Sequence, residues 1–363
     1  MIALAAAGAM LLAMLLAAAW TQVMRRVAVL TGFVAVPRED RHHRQPTPLL
    51  GGVAILLAIL LPSLLALALA AAWNAQGVPA WLPPGLAIHL PGVVAKTGEA
   101  LGILGGAVAL HIVGLIDDRK RLGPWLKLAA QLAVAAGVVL VGGVRLMPHW
   151  GGGLSSVASI AWIVIVTNAL NFLDNIDGLA AGVTAICAAA LLAAAAAAGQ
   201  LFVGAWLCLL LGASAGFLLL NFPPARIFMG DAGSLVLGYF LAVLSMLATY
   251  YTGGPGGQYY VYAPLVLLAV PLYDVVSVIT LRLAERRNPM VGDTRHFSHR
   301  LLRRGMSPRK AVLTIYLATA STAIGASLLP HVRSAAGAVM LLAQAVAIVL
   351  LIALLESADR GKP

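Results

Sequence analysis

Asn168, Asn171, Asp174 and Asp177 fall at every third residue of NALNFLDNIDGLA (168–180), with Gly178 directly behind them. Two amides and two carboxylates can ligate a hard metal ion or hydrogen-bond a nucleotide or a sugar. Their surroundings make them costly. Residues 160–167 are almost wholly apolar, and 180–198 are dominated by Ala with Leu and Val. Amides alone could form a hydrogen-bonded seam between packed helices. Two carboxylates with no Lys or Arg from 167 to 199 need a cation or ligand from elsewhere. On a helix the three-residue spacing would set Asn171, Asp174 and Asp177 in one strip facing a shared cavity.

Four further groups have the same character. Asp117 and Asp118 close the apolar run HIVGLI and are followed by Arg119, Lys120 and Arg121. Adjacent acids oppose the dipole at a helix C-terminus, so capping does not explain them, and paired carboxylates suit Mg²⁺. Asn221 begins NFPPARIFMGDAGS, where Arg226 is the one cation. Its ending, Gly230-Asp231-Ala232-Gly233-Ser234, can join a carboxylate ligand to free backbone N–H groups before a helix, or supply a plain cap. Asp274 lies inside an apolar segment and is a functional candidate for that reason. The loop 282–310 carries nine cations, Arg295 and Arg300 among them, beside His296 and His299. These suit phosphate binding and proton transfer. Arg44, preceded by His42 and His43 and followed by prolines and Gly51-Gly52, is either a basic anchor or a phosphate contact with a close backbone approach behind it.

The elements that must hold these groups are membrane helices. The chain is 61% hydrophobic and only 10% charged, against about 25% charged for a soluble domain. Eleven apolar segments are predicted: 2–23, 49–72, 101–116, 126–141, 157–170, 179–198, 201–220, 235–250, 261–283, 312–329 and 335–355. They define an all-α, polytopic integral membrane protein with one domain over 1–363. The first segment lacks a basic leader and a cleavage signal, so it reads as a retained span. All 24 Lys and Arg except Lys96, Arg145 and Arg333 lie in or beside one set of connections. That side is assigned to the cytoplasm, with the N-terminus outside and the C-terminus inside. The net charge of +11 thus reflects topology and gives no reason to expect nucleic acid as a partner. Twelve of the 13 acids lie on the same side, Glu99 being the exception, and topology alone does not ask for that. Cys187 and Cys208 sit in apolar runs, with no spacing that suggests a disulfide or zinc.

Taken in order, Asp117-Asp118, Asn168-x-x-Asn171-x-x-Asp174-x-x-Asp177-Gly178, Pro224-Ala-Arg-Ile-Phe-Met-Gly230-Asp231-x-Gly-Ser234 and His296-Phe-Ser-His299 resemble a family pattern. It is that of the polyprenyl-phosphate N-acetylhexosamine-1-phosphate transferases, glycosyltransferase family 4. The likeness covers nearly the whole membrane region and is greatest to the N-acetylglucosamine-1-phosphate branch. It implies transfer of a sugar-1-phosphate from a UDP-sugar to a polyprenyl (undecaprenyl) phosphate at the cytoplasmic membrane, with UMP released and Mg²⁺, or Mn²⁺, as cofactor. By the resemblance Asp231 is the metal ligand, and Asp117 and Asp118 lie at the point of phosphate attack. Asn171, Asp174, Asp177 and Asn221 line the nucleotide-sugar cavity. The remaining expected substrate contacts are Arg44, Arg226, Ser234, Asp274, Arg295 and Arg300, and His296 and His299 are the expected catalytic histidines. Ser298 stands where related loops carry a denser histidine cluster. A homodimer is compatible with this reading.

The chemistry agrees. Joining a soluble nucleotide sugar to a lipid phosphate needs apolar walls, a polar site at one face, and cations to offset phosphate repulsion. The rival class is a secondary transporter, whose acids would cluster near the midplane of matching halves. Here most acids gather at segment ends, Asp274 being the exception, and no halves repeat.

Overall fold

The computed structural model describes residues 1–35, 46–146, 150–248, 257–286, 288 and 296–357. Arg44 and Arg295, with His42 and His43, lie outside the described residues. In order the helices are α1 (Ile2–Leu30), α2 (Gly51–Gln76), α3 (Pro84–Ala87), α4 (Leu90–Ala95), α5 (Thr97–Lys120), α6 (Pro124–Leu140), α7 (Gly152–Leu173) and α8 (Leu179–Ala197). They continue with α9 (Leu201–Asn221), α10 (Gly230–Leu247), α11 (Ala263–Leu267), α12 (Ala269–Ala284), α13 (Phe297–Arg303), α14 (Pro308–Leu328) and α15 (Ala335–Ser357). One two-residue antiparallel ladder, β1 (Val34–Ala35) with β2 (Thr47–Pro48), precedes α2.

Among the described residues nine helices are long and apolar enough to cross a membrane, or ten with the bent pair Tyr259–Leu267 and Ala269–Ala284 as one span. The remaining predicted segment is α6, an apolar helix of 17 residues. The 63° bend has a local cause. Pro271 has no N–H to offer the Leu267 carbonyl four residues back, so the ladder breaks there. The Cys187 thiol lies 3.8 Å from that carbonyl. Both cysteines are buried and free of disulfides, in keeping with their apolar settings.

Helix α10 is the hub. Every residue in it except Asp231 is buried, and it packs against α2, α5, α7 and α8. Small residues permit these crossings: a Cβ at Gly52 would strike the α10 backbone at Gly233, and one at Gly114 would strike Asp231 and Ala232. Gly51-Gly52 therefore serves a close approach between helices. The segment before α2 also pairs with the one before α10, through Phe228 N–H to Pro48 O at 2.8 Å and Gly52 N–H to Met229 O at 3.0 Å. On the far flank, Gly212 and Gly216 of α9 seat against Ala13 and Ala17 of α1, a small-residue seam with four-residue spacing.

Candidate active site at one end of the bundle

The C-terminal ends of α5 and α7 and the N-terminal ends of α6 and α10 meet in one place. Each brings one polar group of a four-residue cluster. Lys127, in the first turn of α6, sends its ammonium between Asp117, Asn171 and Asp231. Its Nζ donates to Asp117 Oδ2 and Asn171 Oδ1, each at 3.3 Å, and forms an ion pair with Asp231 Oδ2. The Asn171 amide in turn donates to Asp231 Oδ1 at 3.0 Å and to Ser234 Oγ at 2.8 Å. Two carboxylates and an amide oxygen thus converge on a single positive charge. Such hard oxygen donors also suit a divalent cation. Among the described residues no group of three His, Cys, Asp or Glu could hold a metal by itself, so any such ion would draw its other ligands from water and substrate.

Asp118 has a different place. Its Oδ1 accepts the Asp231 N–H at 2.9 Å and its Oδ2 the Ala232 N–H at 3.2 Å. It therefore caps α10 from a neighbouring helix, satisfying donors that a helix start leaves unpaired. Gly230, at φ +64°, makes this contact fit, because a Cβ there would run into the Asp118 carboxylate. Two expectations change as a result. Gly230–Ser234 is the first turn of α10 instead of a loop before it, and its leading N–H groups are taken by Asp118 instead of being aimed at a phosphate. Asp117 keeps one oxygen for the Leu122 N–H, at 2.6 Å, and turns the other toward Lys127.

The expected strip of Asn171, Asp174 and Asp177 does not form, because α7 ends at Leu173 and residues 174–178 turn into α8. Gly178 makes that turn at φ +76°. Asn168 is satisfied by Gln131 of α6 across a buried seam, its amide also donating to Val164 O at 2.8 Å. Asp174 caps the end of α7 and is half-buried. Asp177 is buried and accepts the Ala225 N–H at 2.8 Å. Asn221 is also buried, taking the Gly178 N–H at 2.9 Å and donating to Ile227 O at 2.8 Å. Those two side chains tie the α7–α8 turn to the α9–α10 connection. Arg226 is exposed on the same connection, and Ser234 is buried under Asn171.

Asp274, expected at the substrate, is wholly buried. Its Oδ2 lies 2.8 Å from His296 Nδ1 and its Oδ1 accepts the Phe297 N–H at 2.7 Å. The start of α13 therefore sits against the middle of α12. The His296 ring packs on Phe172, with centroids 5.4 Å apart, and His299 lies 6.4 Å from His296. Ser298 donates to Asn175 Oδ1 at 2.5 Å, and Arg300 Nη2 to Ser277 Oγ at 2.8 Å. His296 thus reaches the α7 end that carries Asn171, with His299 beside it.

Sequence reasoning missed Lys127, Gln131 and Asn175. Lys127 is the one cation in 124–140, with Gln131 one turn behind it, and that pair matches the Asn171/Asn168 step on α7. The matched polar steps were the available signal.

A polytopic helical membrane protein with carboxylates, amides and a partly buried ammonium gathered at helix ends on one side belongs to the class that does polar chemistry at a membrane face. Comparison makes this specific. The model of glycosyl transferase family 4 matches residues 100–249, which hold Asp117, Lys127, Asn171 and Asp231. A decaprenyl-phosphate N-acetylglucosaminephosphotransferase of Mycolicibacterium smegmatis is 35% identical over 341 residues, 86% of this chain and 78% of the relative. A probable undecaprenyl-phosphate N-acetylglucosaminyl 1-phosphate transferase of Bacillus subtilis is 30% identical over 307 residues, 82% of this chain and 77% of the relative. An undecaprenyl-phosphate alpha-N-acetylglucosaminyl 1-phosphate transferase of Yersinia pestis is 25% identical over 315 residues, 83% of this chain and 78% of the relative. The chain belongs to glycosyl transferase family 4, among its polyprenyl-phosphate sugar-1-phosphate transferases.

Proposed function

We propose that this chain transfers N-acetylglucosamine-1-phosphate from its UDP-sugar to a polyprenyl phosphate, such as undecaprenyl phosphate, at the cytoplasmic face of the cell membrane. The N-terminus lies outside and the C-terminus inside. The observation that carries the reading is the convergence of Asp117, Asn171 and Asp231 on Lys127 at the mouth of an apolar bundle. A lipid phosphate and a nucleotide diphosphate both bring negative charge, and this cluster supplies positive charge and oxygen ligands where they would meet. The relatives' names supply the sugar and the lipid class.

In the proposed reaction an oxygen of the polyprenyl phosphate attacks the β-phosphorus of the UDP-sugar in line. The bond from that phosphorus to the bridging oxygen breaks, UMP leaves with the bridging oxygen, and the lipid diphosphate-sugar forms. Asp231, with Asp117 and the Asn171 carbonyl in reach, would hold Mg²⁺ or Mn²⁺, which offsets diphosphate charge when bound. Asp117 orients the attacking phosphate and accepts its remaining proton when one is present. Asp118 acts one step back, since capping α10 aims Asp231 at the site. Lys127 keeps the two carboxylates together, Asp174 faces the nucleotide sugar, and His296, His299 and Arg300 approach from the α13 side. Arg226, from the α9–α10 connection, and Arg44 and Arg295 would add positive charge at the same membrane face.

Purified protein in detergent with polyprenyl phosphate, Mg²⁺ and a panel of UDP-sugars tests the proposal. UMP release with UDP-N-acetylglucosamine, above that with the other sugars, is expected. No release with any UDP-sugar would overturn it.

A further inference from the structure

The Asp274–His296 pair has a geometry that the transfer chemistry above does not use. A wholly buried carboxylate is costly, and this one has both oxygens engaged by the N-terminal edge of α13. A carboxylate accepts and does not donate, so the proton between the two groups belongs to His296 Nδ1. In the neutral ring that leaves Nε2 as the lone-pair nitrogen, and no described residue hydrogen-bonds to it. The second oxygen holds the Phe297 N–H and fixes the backbone on which the ring is mounted. Phe172, next in sequence to Asn171, packs against the ring with centroids 5.4 Å apart.

We propose that Asp274 is a positioning residue for His296: it sets the tautomer and the ring orientation so that Nε2 is the nitrogen presented to the UDP-sugar. The inference rests on the transferase reading and gives Asp274 a role within it that substrate contact cannot, since its carboxylate is out of reach. A buried acid in this segment is then explained without a lipid or proton pathway.

Two substitutions separate the parts. Asp274→Asn keeps the shape but offers one acceptor to two donors. With its oxygen on Phe297 N–H, its NH₂ meets His296 Nδ1 and drives the proton to Nε2. His296→Asn retains an amide donor near the Nδ1 position, so Asp274 stays paired, and it removes Nε2. UMP release is measured at saturating substrates for each variant and for the double variant. Each single change should lower kcat about 100-fold or more, the range in which general acid–base groups and their orienting carboxylates act. The double variant should be no slower than His296→Asn alone, because the two residues act as one unit. Thermal midpoints in detergent should leave His296→Asn near wild type, which keeps the test decisive should Asp274→Asn fail to fold.

With an active wild type, a kcat within about threefold of it for His296→Asn or for folded Asp274→Asn overturns the proposal, as does a double variant in which the two losses multiply. A wild type that releases no UMP from any UDP-sugar is a different result: it removes the functional reading and this inference with it.

Discussion

Replacing Lys127 by Gln tests the heart of the site, because it removes one charge and leaves the framework. The Nζ to Asp117 Oδ2 distance is 3.3 Å, and the side chains of Lys127, Asp117 and Asp231 are 16%, 17% and 26% exposed. At that separation, with an effective dielectric of roughly 20, the gross attraction to one carboxylate is about 5 kcal/mol. Removing one partner of a fully buried pair costs about 3–5 kcal/mol, and these partly buried side chains fall at or below the lower end of that range. If about 3 kcal/mol of that holds Asp117 and Asp231 in register with the phosphates, turnover falls by roughly 150-fold. UMP release at saturating substrate measures this, and a Mg²⁺ titration on the same preparation adds a second readout. An ammonium and a metal compete for the same oxygens, so half-saturating Mg²⁺ should fall in Lys127→Gln even as kcat drops. A kcat within about threefold of wild type would refute the reasoning, since the ammonium would then be a bystander. A rise in half-saturating Mg²⁺ would refute the shared donor set.

Other consequences follow from the same contacts. Asp231→Asn should abolish UMP release while membrane expression and the thermal midpoint stay near wild type; near-normal turnover would remove its metal role. Asp118→Ala should lower the thermal midpoint as well as activity, because two N–H groups at the start of α10 lose their acceptor, at a cost of about 1–3 kcal/mol for each group left unpaired. Gly230→Ala should show the same double loss, from a left-handed φ of +64° and a Cβ pressed on the Asp118 carboxylate. In both, a normal thermal midpoint in a detergent melt would argue against the cap.

Much of the architecture was readable because it obeys local rules. Twenty apolar residues cross a bilayer whatever they pack against, so the spans could be drawn from composition. The groups that do chemistry stood out because acids are rare here and gather at segment ends. What stayed hidden depends on which helix faces which. The backbone N–H groups at the head of α10 looked available for a phosphate, yet the carboxylate that occupies them comes from Asp118, more than 110 residues earlier. The three-residue spacing of 171–177 suggested one helical strip, but Leu173 ends the helix and Gly178 turns the chain, so Asp177 points to a backbone N–H on another connection. The cation between Asp117 and Asp231 is Lys127, from a third helix whose facing the sequence does not display. Asp274 was recognisable as anomalous from burial alone. Its partner, His296, is 22 residues further on at the start of α13, and no spacing in the sequence encodes that contact.

The central claim is that phosphorus moves with the sugar. UDP-N-acetylglucosamine carrying ³²P in the β-phosphate, incubated with the purified protein, polyprenyl phosphate and Mg²⁺, tests it directly. The account predicts that the label passes to the lipid fraction as UMP appears in equal amount. Label retained in released UDP, with unlabelled sugar on the lipid, would contradict it.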